Sequence, residues 1–515
     1  MIGSLCLATD LGVGLPLEHG LRSTLFAMRL ADRLGVDSAT ARQTYYGCLL
    51  FYVGCTVDAE IAAGQFKGSL LRHFNPVMFG TPAQMMAGVM RALANPDSAA
   101  PVRALQAVGG LPGALRGHRD HIAALCEVAY MLSGRLGVPA EVQQLFAHFT
   151  DRWDGKGPSG GLRGEEIPLS LRVVHVARDA ALQHMLGGVD HAARVIGERA
   201  GRAFDPAIAA LLVAEAPDIL AVDEERSVWD DVLYAEPAPC LMLRGEAIDV
   251  ALAAMGDFAD LASKYLVGHS AGVAQLAAMA AQRGGLPAAD VTAIRRAALV
   301  HDVGRVAVSV LVWQKPGPLS PDEWEQVRLH AYHTERVLRR SRFLAALVPV
   351  ATFHHERLDG GGYHRGAAAA ALTPAARLLA AADAYRAMTE PRPHRDPLTP
   401  KQAADLLGDE AHAGRLDGDS VAAVLETAGH RPQHVVRPAG LTDREAQVIG
   451  LLARGLQTKQ IARKLGISGK TADRHIQNAY AKIGISTRAA ATLFAMQHGL
   501  VAWGELPMVR AGTGS

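Results

Sequence analysis

The sequence predicts an all-α protein, with two tandem helical domains followed by a small helix-turn-helix bundle. Three observations carry this expectation. Across 515 residues the hydrophobic fraction is 49% while aromatics make up only 5%; Ala and Leu dominate, and runs of strand-favouring aromatic residues are scarce. A set of helical landmarks in the N-terminal half returns in the C-terminal half. Near the C-terminus, a capping box opens a series of short helices broken by a glycine turn. A chain of this length also exceeds what one hydrophobic core can organise.

The repeat is found by offset. His19 and His269 each begin an apolar-periodic helix, 250 residues apart. At the same spacing, His301-Asp302-Val303-Gly304 falls on Phe51-Tyr52-Val53-Gly54. Further along, Asp154-Gly155-Lys156-Gly157 aligns with Asp359-Gly360-Gly361-Gly362, and Arg172 with Arg377, now 205 residues apart. The shorter offset places extra residues in the first copy, mostly around Lys67 to Gly117. Their Gly, Pro and Ala content predicts a loop-rich insertion. The expected domains are residues 1–200, a connector at 201–244 that could close the first copy, a second copy at 245–430, a Pro/Gly linker at 431–440 and the bundle at 441–505. The connector carries an acidic patch of Asp223, Glu224 and Glu225.

Charge is balanced overall, with 52 Lys+Arg against 51 Asp+Glu and a formal net charge of +1. It is not evenly spread: Arg437 to Arg488 holds ten Lys/Arg against three Asp/Glu, a local basic surplus compatible with DNA. The five cysteines, Cys6, Cys48, Cys55, Cys126 and Cys240, form no CxxC pair. That argues for a reducing, cytoplasmic setting and against a cysteine-built zinc site. Met1 to Gly20 lacks a basic region followed by an apolar core, and no apolar run is long enough to cross a bilayer, so neither signal peptide nor membrane span is expected.

The second copy concentrates ligand-competent side chains in apolar helices. His301-Asp302 ends the run Ala297 to Val300, His354-His355 follows Leu347 to Phe353, and Asp383 interrupts Leu378 to Ala382. Burying such groups unpaired costs several kcal/mol, and a shared metal centre removes that cost. Several imidazoles with a carboxylate that can bridge two ions suit first-row metals. The candidate ligands are His269, His301, Asp302, His330, His354, His355 and Asp383.

His301-Asp302-Val303-Gly304-Arg305 and His354-His355-Glu356-Arg357-Leu358-Asp359-Gly360-Gly361-Gly362-Tyr363 resemble the HD-GYP subclass of HD phosphohydrolases, whose pattern is HDxGK followed by HHExxDGxGYP. The resemblance spans about Asp257 to Pro393. It implies two tandem HD-type domains, the first degenerate, and a metal-dependent phosphodiesterase acting on cyclic di-GMP or a related nucleotide. Two divalent ions, Fe or Mn, are implied as cofactors. His269, His301, Asp302 and Asp383 would hold one and His330, His354 and His355 the other, with Asp302 bridging. Asp302 and Arg305 are the catalytic candidates, and Arg305, Asp359, Gly362 and Tyr363 the substrate-binding ones. Four departures stand out. Tyr265 occupies the place of a third-metal Glu, Arg305 replaces Lys, His364 replaces the Pro of GYP, and Ala367 to Ala371 replaces the family's pocket loop, which weakens the case for cyclic di-GMP itself. In the first copy the ligand places hold Phe51-Tyr52, Phe149-Thr150 and Arg178. His19 survives, His118 and His121 parallel His330 and His333, and Gly161 to Leu169 looks like the family's intact loop. This copy is expected to bind no metal: a fixed cation at Arg178 opposes a dication. It is expected either to pack only or to bind a nucleotide without cleaving it.

At the C-terminus Thr442 caps a helix with Glu445 three residues on. A second helix covers about Thr458 to Leu465 and stops at Gly466. A third covers about Lys470 to Ile483. Leu441-Thr442-x-Arg444-Glu445, Lys459-x-Ile461-Ala462, Leu465-Gly466-Ile467-Ser468 and Lys482-Ile483-Gly484 resemble the LuxR-type domain. That makes the third helix the recognition helix for double-stranded DNA. Lys459, Lys470, Thr471 and Arg488 suit phosphates, and Asp473, Arg474 and Gln477 occupy base-facing positions. The helix at 488–499, with Ala489, Ala490, Leu493, Phe494 and Met496, offers packing and a homodimer seam. The resulting reading is a cytoplasmic transcriptional regulator with a phosphodiesterase domain. The alternatives are a nucleotide-sensing transcription factor whose HD domain binds ligand without turnover, and a phosphohydrolase acting on another nucleotide.

Overall fold

The structure, a computed structural model, describes residues 1–54, 75–95, 98–157, 161–223, 225–431 and 437–501, with backbone alone for 113–124. Among these residues there are helices and two isolated β-bridges, Ala200 with Phe204 and Arg392 with Arg395, and no strand. The helices used below are α1 (Ile2–Gly12), α2 (His19–Arg33), α3 (Ser38–Leu49), α4 (Pro82–Leu93), α5 (Ala100–Arg135), α6 (Leu169–Arg199), α7 (Glu246–Asp260), α8 (His269–Arg283), α9 (Ala288–Val300), α10 (Pro321–Arg328), α11 (His330–Leu338), α12 (Pro374–Thr389), α13 (Pro400–His412), α14 (Gly418–Thr427), α15 (Asp443–Ala453), α16 (Thr458–Leu465), α17 (Gly469–Ile483) and α18 (Arg488–Gln497). None of the described helices is long and apolar enough to cross a membrane.

Packing groups the chain into two compact units. One comprises Met1–Val267, Val303–Lys315 and Arg336–Ala345; the other comprises Gly268–Asp302, Pro316–Glu335 and Ala346–Ser515. In the first unit, α2 packs on α3 and α6, and the helix Pro206–Ala214 closes over α6. Leu21, Phe26 and Leu30 of α2, with Leu171, Val173, Val174 and Val176 of α6, are buried. In the second unit, α8 packs on α9, α12 and α14. That core is built from small side chains, Ala277, Ala281, Ala297, Ala298, Ala381 and Ala382, which let helix axes approach closely and bring polar side chains from different helices together.

The insertion expected to be loop-rich is largely helical where it is described. The Thr81 hydroxyl accepts from Gln84 N at 3.3 Å and the Gln84 amide oxygen accepts from Thr81 N at 2.8 Å, a capping box that starts α4. The 36-residue α5 then runs through Pro112. Proline removes one helical donor, but the surrounding Ala and Leu outweigh it. Residues 67–74 lie outside the described residues, as do Glu224 of the acidic patch and Cys55.

The repeat survives at atomic detail. The residue before His19 and the residue before His269, Glu18 and Gly268, have nearly the same left-handed backbone, φ 74° and 79°. Glycine adopts this freely whereas glutamate carries strain on the order of 1 kcal/mol. A Cβ on Gly157 would lie 2.6 Å from Thr150 O, and one on Gly362 would lie 2.7 Å from His355 O, the equivalent atom 205 residues on. Leu162 N donates to Asp151 Oδ2 at 2.9 Å, and Ala367 N donates to Glu356 Oε2 at 3.0 Å. Gly164 N donates to Trp153 O, and Ala369 N to Leu358 O, both at 2.9 Å. Each loop then makes a 3₁₀ turn, Gly164–Glu166 and Ala369–Ala371. The loop that the sequence reading treats as lost from the second copy therefore keeps the backbone path of its intact counterpart. Its hydrogen bonds are made by the main chain, so alanines can follow the same route.

Candidate metal centre and DNA-binding bundle

Seven side chains of the second unit meet at one buried point. Asp302 lies at the centre. Its Oδ2 is 2.8 Å from His301 Nε2 and 3.6 Å from His269 Nε2; its Oδ1 is 3.2 Å from His330 Nε2 and 3.3 Å from His354 Nε2. Asp383 Oδ1 is 3.0 Å from His269 Nε2 and its Oδ2 is 3.7 Å from His355 Nδ1. The set divides into two groups with ligand atoms within 4.8 Å: His269, His301, Asp302 and Asp383, and Asp302, His330, His354 and His355. Each oxygen of Asp302 faces a different group, the geometry of a bridging carboxylate.

The rings are turned by their outer nitrogens. Nδ1 of His301 donates to Ala298 O at 2.7 Å, that of His330 to Val327 O at 2.5 Å, and that of His354 to Ala351 O at 2.7 Å. In each the carbonyl three residues back, in the last helical turn, fixes the ring and leaves Nε2 facing inward. His269 Nδ1 donates instead to Glu390 Oε2 at 2.7 Å, and Glu390 is held by Arg386 at 2.8 Å and Arg392 at 3.2 Å. No sequence pattern marks Glu390. It lies at the C-terminus of α12, seven residues beyond Asp383, where it looks like an ordinary surface charge. Outer-shell partners of this kind set ring orientation and ligand basicity. Glu390→Gln is expected to weaken metal affinity roughly 10- to 100-fold with the helical fold intact. Metal competition titrations and circular dichroism check this, and unchanged affinity would contradict it.

With the Nδ1 protons of His269, His301, His330 and His354 committed outward, their Nε2 atoms face the Asp302 and Asp383 carboxylates, and the pocket favours positive charge. Burial alone depresses His301, yet the Asp302 and Asp383 carboxylates outweigh it and lift this imidazole to about 10. Burial would also raise Asp383, but hydrogen bonds from His269 and His301 hold it well below the usual carboxylate range. Burial pushes His354 down to about 4 and His355 well below its ordinary value, so both are neutral imidazoles, the form that ligates metal. Two carboxylates and five imidazoles in this arrangement fit a pair of first-row divalent cations.

Residues 254–420 match the HD-domain family, and residues 439–495 match the LuxR family of bacterial regulatory proteins. The chain carries an HD domain followed by a LuxR-type domain. It is homologous to HD-type cyclic-dinucleotide phosphodiesterases. It is 26% identical over 435 residues to 3′3′-cGAMP-specific phosphodiesterase 3 of Vibrio cholerae, covering 83% of this chain and 94% of that protein. A cyclic di-GMP phosphodiesterase of Thermotoga maritima is 34% identical over 150 residues, 29% of this chain and 40% of that one. The crystal structure of a cyclic GMP-AMP-specific phosphodiesterase of V. cholerae shares the fold, with a TM-score of 0.57 and 24% identity over 84% of this chain and 97% of that one.

Around the HD centre, Gly362 is required by the close approach of the His355–Arg357 backbone, 2.5–2.8 Å from any Cβ placed there. Asp359 Oδ1 accepts from Gly361 N at 2.8 Å and so shapes the turn. Tyr363 stacks on the His355 ring at 4.2 Å, and Arg328 Nη2 donates to the carbonyls of Gly362 and Tyr363 at 3.1 and 3.2 Å. Trp324 and Tyr332 stand exposed on the same rim, their rings 6.1 Å from Tyr363 and 5.9 Å from His364 respectively. Arg305 belongs to the first unit. It is buried there, its guanidinium 5.5 Å from the Trp313 ring centroid and its carbonyl accepting from Trp313 Nε1 at 3.1 Å.

In the first copy the ligand places are filled by packing. Phe51 stacks on Phe149 with centroids 4.9 Å apart, and the Arg178 guanidinium lies 4.2 Å from the Tyr52 centroid and 5.0 Å from that of Phe51. Arg178 is buried beside Cys6, Cys48 and Asp10. Burial first, then the Arg178 charge, pushes His19 down to about 3. A cation–π pair with a fixed cation thus stands where the second copy gathers ligands. His118 and His121 lie outside the described side chains.

The C-terminal bundle forms as the sequence suggests. Thr442 N donates to Glu445 Oε2 at 2.8 Å, and Lys482 Nζ donates to the same oxygen at 2.7 Å, so the capping glutamate also ties in α17. Ile449, Leu452, Ile461, Ala472, Ile476, Ala479, Ala491 and Ala495 form its core. Gly466 turns between α16 and α17 with φ 64°. Lys459, Lys470, Asp473, Arg474 and Gln477 are exposed, and the Thr471 hydroxyl pairs with Ser468 Oγ at 2.7 Å. Arg488 differs from its expected phosphate role. Its Nη2 donates to Leu452 O at 2.7 Å, in the last turn of α15, and to Leu456 O at 3.0 Å, in the loop that follows. In α18, Leu493 is exposed while Phe494 and Met496 pack into the core.

Proposed function

We propose that this protein is a transcriptional regulator whose second HD copy is a two-metal phosphodiesterase for a cyclic dinucleotide. The observation that carries the reading is Asp302 shared between two histidine groups. Asp302, His269, His301 and Asp383 would hold one divalent ion and Asp302, His330, His354 and His355 the other, with Fe or Mn preferred. Bound there, the ions would supply Lewis-acid charge and an activated water for attack on phosphorus. The chain's own part is to exclude bulk water around Asp302, keep His354 and His355 neutral, and present a rim of Trp324, Tyr332 and Tyr363. Aromatic rings of this kind stack on bases, which favours a nucleotide over a simple phosphodiester. The cyclic dinucleotides hydrolysed by the relatives are the first substrates to test. The LuxR-type domain supports a cytoplasmic protein that binds double-stranded DNA as a homodimer through the exposed face of α17.

We expect two ions per chain and not three, since Tyr265 offers no carboxylate for a third. Elemental analysis of anaerobically purified protein checks the count; three ions, or none, would contradict it. With free metal at about 100 times Kd, chelation should lower folding stability by roughly 2.7 kcal/mol for each ion removed, read as a fall in Tm. A screen against 3′3′-cGAMP and cyclic di-GMP, with product chromatography, tests the activity. Binding without product would favour the alternative of a nucleotide sensor, for which Arg305 in place of Lys is the motivating residue.

A further inference from the structure

Arg377 does something its repeat partner does not. In the first copy Arg172 Nη1 donates to Asp205 Oδ2 at 2.6 Å, and Asp205 caps the helix Pro206–Ala214. In the second copy the equivalent cap is Asp417, whose Oδ2 accepts from Ser420 N at 2.9 Å at the start of α14. The Arg377 guanidinium is 3.7 Å from Asp417. Its strong contacts lie elsewhere: Nε donates to Leu372 O at 2.9 Å, Nη2 to Ala369 O at 2.6 Å, and Nη1 to Gly499 O. Gly499 lies two residues beyond the end of α18, the last helix of the bundle, and α18 lies against the Ala369–Ala371 turn. A second arginine reinforces the junction, Arg437 pairing with Asp419 of α14 and with Asp443 of α15 at 2.7 Å.

The loop that Arg377 holds is tied to the metal centre. Glu356 follows the ligands His354 and His355 directly. It is buried and accepts from Arg365 N at 3.2 Å and from Ala367 N at 3.0 Å, two residues before the Ala369 carbonyl that Arg377 binds. Arg365 also pairs with Glu335. A short hydrogen-bonded path therefore runs from the ligand pair through Glu356, the loop and Arg377 to the end of α18.

We propose that Arg377 is a latch through which the occupancy of the metal–nucleotide site controls DNA binding. This rests on the reading of that site as a nucleotide site. In the latched state the end of α18 is pinned to the loop. When a nucleotide seats beside Tyr363 and shifts the loop, Arg377 releases Gly499 and relaxes onto Asp417, as Arg172 rests on Asp205. The freed bundle then pairs through α18 and its exposed Leu493, and binds DNA more tightly. Coupling of this kind typically changes affinity 5- to 150-fold.

The test uses the full chain and Arg377→Met. Without metal or nucleotide, the variant should exchange backbone hydrogens about tenfold faster than wild type in both 366–372 and 494–500. It should bind a duplex selected by the wild-type protein at least about fivefold more tightly. Wild type loaded with Mn²⁺ and a phosphorothioate cyclic dinucleotide should show the same paired change in exchange, and this arm needs no variant. Unchanged exchange at 494–500 in the variant, or in the loaded wild type while 366–372 responds, overturns the latch. No binding of any cyclic dinucleotide by wild type overturns the nucleotide reading and the ligand control with it, whereas binding without a change at 494–500 overturns the latch alone.

Discussion

Asp302→Ala is expected to abolish phosphodiester hydrolysis and to empty both metal positions. One oxygen of Asp302 faces His269 and His301 and the other faces His330 and His354, so a single truncation removes a ligand from each group. Loss of an outer-shell partner alone costs 10- to 100-fold, and loss of a shared ligand should exceed the top of that range. Removing the carboxylate also leaves buried imidazoles facing one another, which favours their neutral forms and lets the pocket persist without cations. The variant should therefore stay folded while bound metal falls from two ions towards none. Activity on bis-p-nitrophenyl phosphate that survives the change would show that the chemistry lies elsewhere.

On DNA, Arg474→Ala should cost about 1–3 kcal/mol on the selected site and little on random duplex, because a forked contact to a base edge carries sequence information. Lys470→Ala should weaken both duplexes alike and reduce the salt slope by about one, the signature of a phosphate contact. Both side chains are exposed on α17, beside the exposed Asp473 and Gln477. Titrations on both duplexes at several salt concentrations separate the cases. Equal losses for Arg474→Ala on the two DNAs would show that it touches only the backbone.

The side chains that converge on Asp302 are legible in the sequence because their signals are local. His301-Asp302 and His354-His355 each sit at the end of an apolar helix, where ligand-competent polar groups stand out, and the 250- and 205-residue offsets align copies whose backbones do share turns, hydrogen bonds and a glycine contact. What escaped was set by tertiary contact. Glu390 orients His269 across 121 residues of chain, and no spacing rule connects them. Gly, Pro and Ala content predicts loop in the insertion, whereas a capping box at Thr81 and Gln84 starts a helix there. The Ala367–Ala371 stretch shares no side-chain pattern with Gly161–Leu169, but main-chain hydrogen bonds fix its path. Arg488 suits phosphate by its charge, and its contact with the carbonyls of Leu452 and Leu456 is set by tertiary packing that no local pattern announces.

The second HD copy is proposed to hold two metals and to cut a cyclic dinucleotide, and the first copy, with Arg178 stacked among Phe51 and Tyr52, to hold none. The most direct measurement combines metal counting with product analysis on one preparation: anaerobically purified full-length chain, incubated with 3′3′-cGAMP and with cyclic di-GMP. The account predicts two ions per chain and formation of a linear dinucleotide that stops on chelation and resumes with Fe²⁺ or Mn²⁺. A chain that carries its two ions, binds the cyclic dinucleotides and yields no linear product would contradict it.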